Sequence, residues 1–98
     1  MAYKSILERD DVDALFDAVL KLKNREECYK FFEDHCTINE IHAIAQRMEV
    51  AKLLSEKKTY NEIEEITNAS TATISRINKC LVYGAGGYRL VLERLKKK

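Results

Sequence analysis

The chain contains no proline, and its three glycines all fall within GAGG (84–87), so little in its 98 residues interrupts a helix. The segments on either side carry the helical period. Val12, Leu15, Phe16, Val19 and Leu20 recur at i, i+3, i+4, i+7 and i+8, with Asp10 or Asp11 placed to cap a first helix. Asn24, with Glu27 three residues later, opens a second helix that runs to about His35 and carries Cys28, Phe31 and Phe32 as its stripe. Thr37 and Glu40 form a capping box ahead of a third helix, predicted to be the longest, with Ile41, Ile44, Ala45, Met48, Ala51 and Leu54 along one face. The box recurs as Thr59 and Glu62 and opens a short fourth helix that carries Ile63 and Ile66 inward before TNAS interrupts it. Ser70 caps a fifth helix, predicted to continue through Leu81 or Val82 and to stop at GAGG. A sixth follows from Tyr88, with Tyr88, Val91, Leu92 and Leu95 inward and the terminal KKK at the negative end of its dipole. The expected class is all-α: about six helices in one domain over 1–98, with its core in 10–95.

A chain this short buries only a modest fraction of its surface, and six helices leave little room for a closed private core. Mutual burial between copies is the natural remedy. No signal-peptide h-region and no apolar run of membrane-spanning length is present, so the expected location is the cytoplasm, with no membrane partner. Cys28, Cys36 and Cys80 are odd in number and read as reduced thiols. With His35 and His42 they lack the paired spacing of a metal site. GAGG follows no strand and has no Gly-Lys-Ser/Thr ending, so it is a helix stop rather than a phosphate loop. The many carboxylates of the first half fall on polar faces or caps, without a pairing suited to acid–base chemistry. Neither enzymatic activity nor a cofactor is expected.

Charge is unevenly divided. The net charge is +1, yet residues 1–50 hold seven Lys/Arg against eleven Asp/Glu, whereas residues 51–98 hold ten against five. Phosphate neutralisation depends on local charge, so the second half suits a polyanion that the first would repel. In that half the helices at 59–67 and 70–82 are separated by so few residues that they must pack at a steep angle, as a helix-turn-helix over 59–82. At 100° per residue Ile74, Ile77 and Leu81 share one side of the second of these helices. Ala72, Ser75, Arg76 and Lys79 share the opposite side. Ser70, Thr71, Ala72 and Thr73 are small enough to approach base edges closely, Arg76 could reach guanine or phosphate, and Lys79 suits phosphate. Lys57, Lys58 and Thr59 flank this face, and exposed amides at both helix starts add anion-binding groups. Solvated hydroxyls at an ordinary helix start are the plainer alternative for Thr71, Thr73 and Ser75.

TYNEIEEITNASTATISRIN (59–78) resembles the helix-turn-helix of bacterial repressors without a gap. Glu64 stands where that motif usually has a small Ala, and Asn68 replaces the turn Gly, a substitution Asn tolerates because it adopts positive φ. With Thr37, Glu40, Ala43 and Arg47 upstream and ATISR (72–76) downstream, the chain is similar to the tryptophan repressor family, in its YerC/YecD-like branch. The resemblance spans roughly 10–95. It implies an all-helical, intertwined homodimer that presents two reading heads to a palindromic double-stranded operator. It also implies an effector pocket at Thr37, Arg47, Arg76, Ile77 and Cys80. Ile77 replaces a pocket Gly and Cys80 a pocket Ser, so a branched side chain stands where the indole of tryptophan would lie. The expectation is therefore a regulator that does not answer to tryptophan, with any other small-molecule effector left open. The bacterial motif points Arg76 at DNA and the family points it into the pocket. The alternative function is a helical dimeric protein-interaction module that has lost DNA readout.

Overall fold

The structure, a computed structural model, describes residues 3–97. The final lysine of the KKK run lies outside them. Among the described residues every regular element is helical: α1 Asp10–Val19, α2 Arg25–His35, α3 Ile38–Ser55, α4 Tyr60–Thr67, α5 Thr71–Tyr83 and α6 Gly87–Lys96. The longest is α3, with 18 residues, and the shortest is α4, with 8, as the spacing of caps and stripes predicts. The chain divides into two compact units, Met1–Thr37 and Ile38–Lys98.

In the first unit Asn24 caps α2 as expected, its side chain accepting from the Glu27 N–H at 2.9 Å, while the Glu27 carboxylate accepts from the Lys23 N–H at 2.8 Å. The start of α1 differs from expectation. Arg9, not Asp10 or Asp11, is its N-cap, and no side chain caps it. The Asp11 carboxylate turns instead to the Arg9 guanidinium, whose Nε donates at 2.9 Å, and this pairing holds the Asp11 carboxyl below its ordinary range. Two charge-assisted bonds outweigh one bond to a backbone amide. Neither α1 nor α2 has a buried residue. Phe31 and Phe32 are half-buried and meet edge-on at 5.1 Å, but Cys28 of the same stripe is exposed, as are Phe16 and Leu20. Two short helices cannot enclose their own apolar stripes.

The second unit is organised on α3, against which α4, α5 and α6 pack. Val50, Ala51, Ile63, Ala69, Ile74, Ile77 and Leu92 are buried together, and Met48, Leu53, Leu54, Leu81 and Tyr88 pack around them. The predicted stripe of α3 is therefore only half used. All its core residues lie between Met48 and Leu54, with Val50 added, while Ile44 and Ala45 are exposed because the later helices gather at the C-terminal half. Ile66 is also exposed, contrary to expectation: α4 ends one residue later, and the next inward position is taken by Ala69 in the turn. In α6, Leu92 is buried and Tyr88 half-buried, whereas Val91 and Leu95 are exposed.

The helix ends follow from backbone chemistry. The Lys58 N–H donates to the Leu53 carbonyl and the Lys57 N–H to the Leu54 carbonyl, which closes α3 with a Schellman motif. Its left-handed position is Lys57, at φ 69°, where glycine is the usual occupant. At the end of α5 a Cβ on Gly84 would run into the Cys80 carbonyl, so a side chain is excluded there. The left-handed Gly86 then opens α6 one residue ahead of Tyr88. Lys57→Gly should relieve the left-handed strain. The larger entropy of glycine in the unfolded chain offsets part of the gain, leaving a net stabilisation of a few tenths to about 1 kcal/mol in urea titrations at fixed protein concentration.

Candidate nucleic-acid interface

Helix α4, the turn 68–70 and α5 form a helix-turn-helix in which every local constraint serves the placement of α5. The capping box read from Thr59 and Glu62 is complete: the Thr59 hydroxyl accepts from the Glu62 N–H at 3.1 Å, and the Glu62 carboxylate accepts from the Thr59 N–H at 2.8 Å. In the turn, Asn68 takes the left-handed conformation, φ 61°, and its N–H donates to the Glu64 carbonyl at 2.9 Å. Thr67 braces the same corner. Its hydroxyl donates to the Ile63 carbonyl at 2.8 Å and accepts from the Ala69 N–H at 3.1 Å. From α3, the Gln46 amide donates to the Thr67 carbonyl at 2.9 Å, tying the corner to the central helix. Gln46 and Thr67 escaped the sequence reading. The only available signal was a threonine, able to bond back to the preceding turn, at the last position of a short helix.

Helix α5 buries Ile74 and Ile77 completely or nearly so, with Leu81 half-buried beside them. On its outer side Ala72, Ser75, Arg76 and Lys79 are all exposed, and Thr71 is exposed at the flank toward Glu64 of α4. The hydroxyls of the first turn are not equivalent. Ser70 is the N-cap: its oxygen accepts from the Thr73 N–H at 3.1 Å, and its own proton goes to the Thr73 hydroxyl at 3.1 Å. Thr73 is half-buried. These two are occupied with each other, whereas the exposed Thr71 donates to the Glu64 carboxylate at 2.6 Å. Glu64 is half-buried at the position where a small residue was expected, and its stem leads the carboxylate across to the first residue of α5.

Lys57, Lys58 and Thr59 are exposed at the start of α4, and Lys57, Lys58, Arg76 and Lys79 enter no ion pair among the described residues. Their charge is open to an outside anion. Of the expected effector-pocket residues in the second unit, Arg47 is half-buried, Arg76 and Cys80 are exposed, and Ile77 is 2% exposed within the core. Thr37, in the first unit, is exposed. Among the described residues no group of His, Cys, Asp and Glu could hold a metal ion.

The geometry is that of a helix-turn-helix protein whose second helix is anchored on its aliphatic side and open on its polar side. Residues 10–96 match the Trp repressor protein family, and the chain belongs to that family. It is 54% identical over 91 residues to YerC of Bacillus subtilis (strain 168), an uncharacterized protein, covering 93% of this chain and 88% of YerC. The crystal structure of a TrpR-like protein from Eubacterium eligens superimposes with a TM-score of 0.89 at 55% identity, covering 94% of this chain and 97% of that one. A candidate Trp repressor from Staphylococcus aureus superimposes with a TM-score of 0.88 at 48% identity, covering 94% and 92%.

The cap of α4 makes a pH dependence. Glu62 has its carboxyl held below the usual range, first by the Thr59 N–H, then by the Thr59 hydroxyl, with the charge of Lys58 adding to both. A lowered folded value means that this cap contributes fully above the titration of an unfolded glutamate and is lost as pH falls through the lowered value. Denaturant titrations from about pH 6 down to about pH 3 should therefore show Glu62→Gln less stable than wild type at the upper end and converging with it at the lower.

Proposed function

We propose that the protein is a transcriptional regulator that binds double-stranded DNA sequence-specifically as a homodimer, with α5 in the major groove and α4 bracing it. The observation that carries this reading is the two-sidedness of α5: Ile74 and Ile77 are buried, while Ala72, Ser75, Arg76 and Lys79 are exposed along the opposite side and Thr71 is exposed at its flank. A small-residue start lets such a helix approach base edges. Exposed cations around it would neutralise phosphates. Affinity is assigned chiefly to Lys57, Lys58, Lys79, Thr59 and the amides at the helix starts. Specificity is assigned to Thr71, Ala72, Ser75 and Arg76, with Ser70 and Thr73 shaping the helix start. Membership of the Trp repressor protein family supports the same conclusion.

The homodimer is supported by the two amphipathic helices of the first unit, neither of which has a buried residue, and by the exposed Ile38 and Ile44 at the start of α3. Apolar faces of that extent gain most by closing over their equivalents in a second copy. A palindromic operator is the matching target of a two-fold dimer. Among the described residues no helix is long and apolar enough to cross a membrane, and we place the regulator in the bacterial cytosol or nucleoid.

Free tryptophan is not the effector in this reading. Ile77 is packed in the core next to Arg76, and at the position where the resemblance implies a pocket glycine its branched side chain would take the space an indole needs. Calorimetric titration should give no heat of tryptophan binding in the micromolar range, and a saturable signal there would remove the claim. For DNA binding, gel-shift titrations in a salt series should show Lys79→Ala weaker on every duplex, with a salt slope about one unit shallower. Light scattering on the same preparation should return twice the 11.4 kDa chain mass. Absence of any salt-dependent duplex binding, with a protein partner co-purifying, would favour an interaction module instead.

A further inference from the structure

The carboxylate of Glu64 sits at the front of α5, on the side proposed to meet a polyanion, where its charge by itself would weaken phosphate contacts. Its one hydrogen-bond partner among the described residues is the Thr71 hydroxyl, 2.6 Å away. An ionised carboxylate can only accept, so the proton in this bond is threonine's. With that proton engaged, the Thr71 oxygen has nothing left to donate and offers only lone pairs. Polarisation by the charged partner makes it a better acceptor. The neighbouring hydroxyls cannot substitute for it, because Ser70 and Thr73 are bonded to each other at the cap and Thr73 is half-buried.

We infer that Glu64 is a specificity-determining residue that acts through Thr71: it fixes the exposed hydroxyl at the start of α5 as a hydrogen-bond acceptor, which selects a base bearing an exocyclic amine on the strand it faces. In the major groove those donors are the N4 amine of cytosine and the N6 amine of adenine, while guanine O6 and N7 and thymine O4 are acceptors. Thr71 therefore discriminates amine from carbonyl edges and does not anchor phosphate, which is itself an acceptor. Glu64 is a positioning residue in this arrangement. The inference rests on the DNA-binding reading above.

The test uses the full chain and a duplex enriched from a random pool by the wild-type protein, followed by competition titrations on duplexes that differ at one base pair. Wild type should favour an amine-bearing base at one position of each half-site by roughly threefold to tenfold, the range of a single neutral hydrogen bond. Thr71→Val should abolish that preference. Glu64→Ala should cut it to within about twofold or reverse it, because a freed hydroxyl can donate, and Glu64→Gln should relax it too, since an amide can donate to Thr71. Preferences at the other positions should stay, and the double variant should match Thr71→Val alone. Circular dichroism melts confirm that each variant folds, and if Glu64→Ala does not, Glu64→Gln carries the result. The inference is overturned if the Glu64 variants keep the wild-type pattern, or if Thr71→Val changes no position. Failure of the wild-type protein to enrich any sequence is visible before a variant is made and sinks the DNA-binding reading itself, and this one with it.

Discussion

Burial of Ile63, Ile74 and Ile77 with Val50 and Ala51 determines which way α5 faces. Each of these isoleucines removes a side chain from water that is worth about 1.5–3 kcal/mol when fully buried, far more than any single surface bond in the unit. Ile74 and Ile77 are three residues apart and so share one side of their helix, which leaves Ala72, Ser75 and Lys79 no inward option. The exposure of the polar side is thus a result of hydrophobic anchoring rather than of anything the polar residues do. Their chemistry is free to vary because it does not hold the fold together.

Orientation also needs a corner that does not flex. Asn68 supplies the left-handed residue, Thr67 satisfies the Ile63 carbonyl and the Ala69 amide, and Gln46 reaches over from α3 to the Thr67 carbonyl. Four backbone and side-chain bonds around three residues leave α5 little freedom to pivot on α4. Caps at Thr59 and Ser70 then settle the first turns of both helices with their own side chains. Ser70 is consumed by this role, so the hydroxyl-rich start of α5 contains one structural serine and one outward threonine rather than a row of equivalent donors.

The two units solve different problems. The second has a true if small core, assembled from four helices, and carries the excess of positive charge. The first carries the acidic excess and has helices without a core. Acidic residues in the first turn of α1 and α2 complement their helix dipoles. Lys57, Lys58, Arg76 and Lys79 are exposed around the helix-turn-helix, so a nearly neutral chain still presents positive charge there.

Much was legible in the sequence because it is local. Caps at Asn24, Thr59 and Ser70, the left-handed Asn68, the stop at GAGG and the opposed faces of α5 all follow from side chains within four residues of one another. Periodicity marks an apolar face but does not say whether anything covers it. Hence Ile44, Ile66, Val91 and Leu95 belong to predicted inward stripes yet remain exposed, while Val50 and Ala69 are buried without having been singled out. The same holds for polar groups: the Thr71–Glu64 and Gln46–Thr67 bonds join residues 7 and 21 positions apart, across a turn or between helices. The order of residues alone determined six helices, their boundaries to within a residue or two and the helix-turn-helix, since those depend on backbone bonding and short-range spacing. Only the tertiary structure decided which half of α3 forms the core and which hydroxyl of α5 points outward with its proton already given away, because both depend on what the folded chain brings alongside.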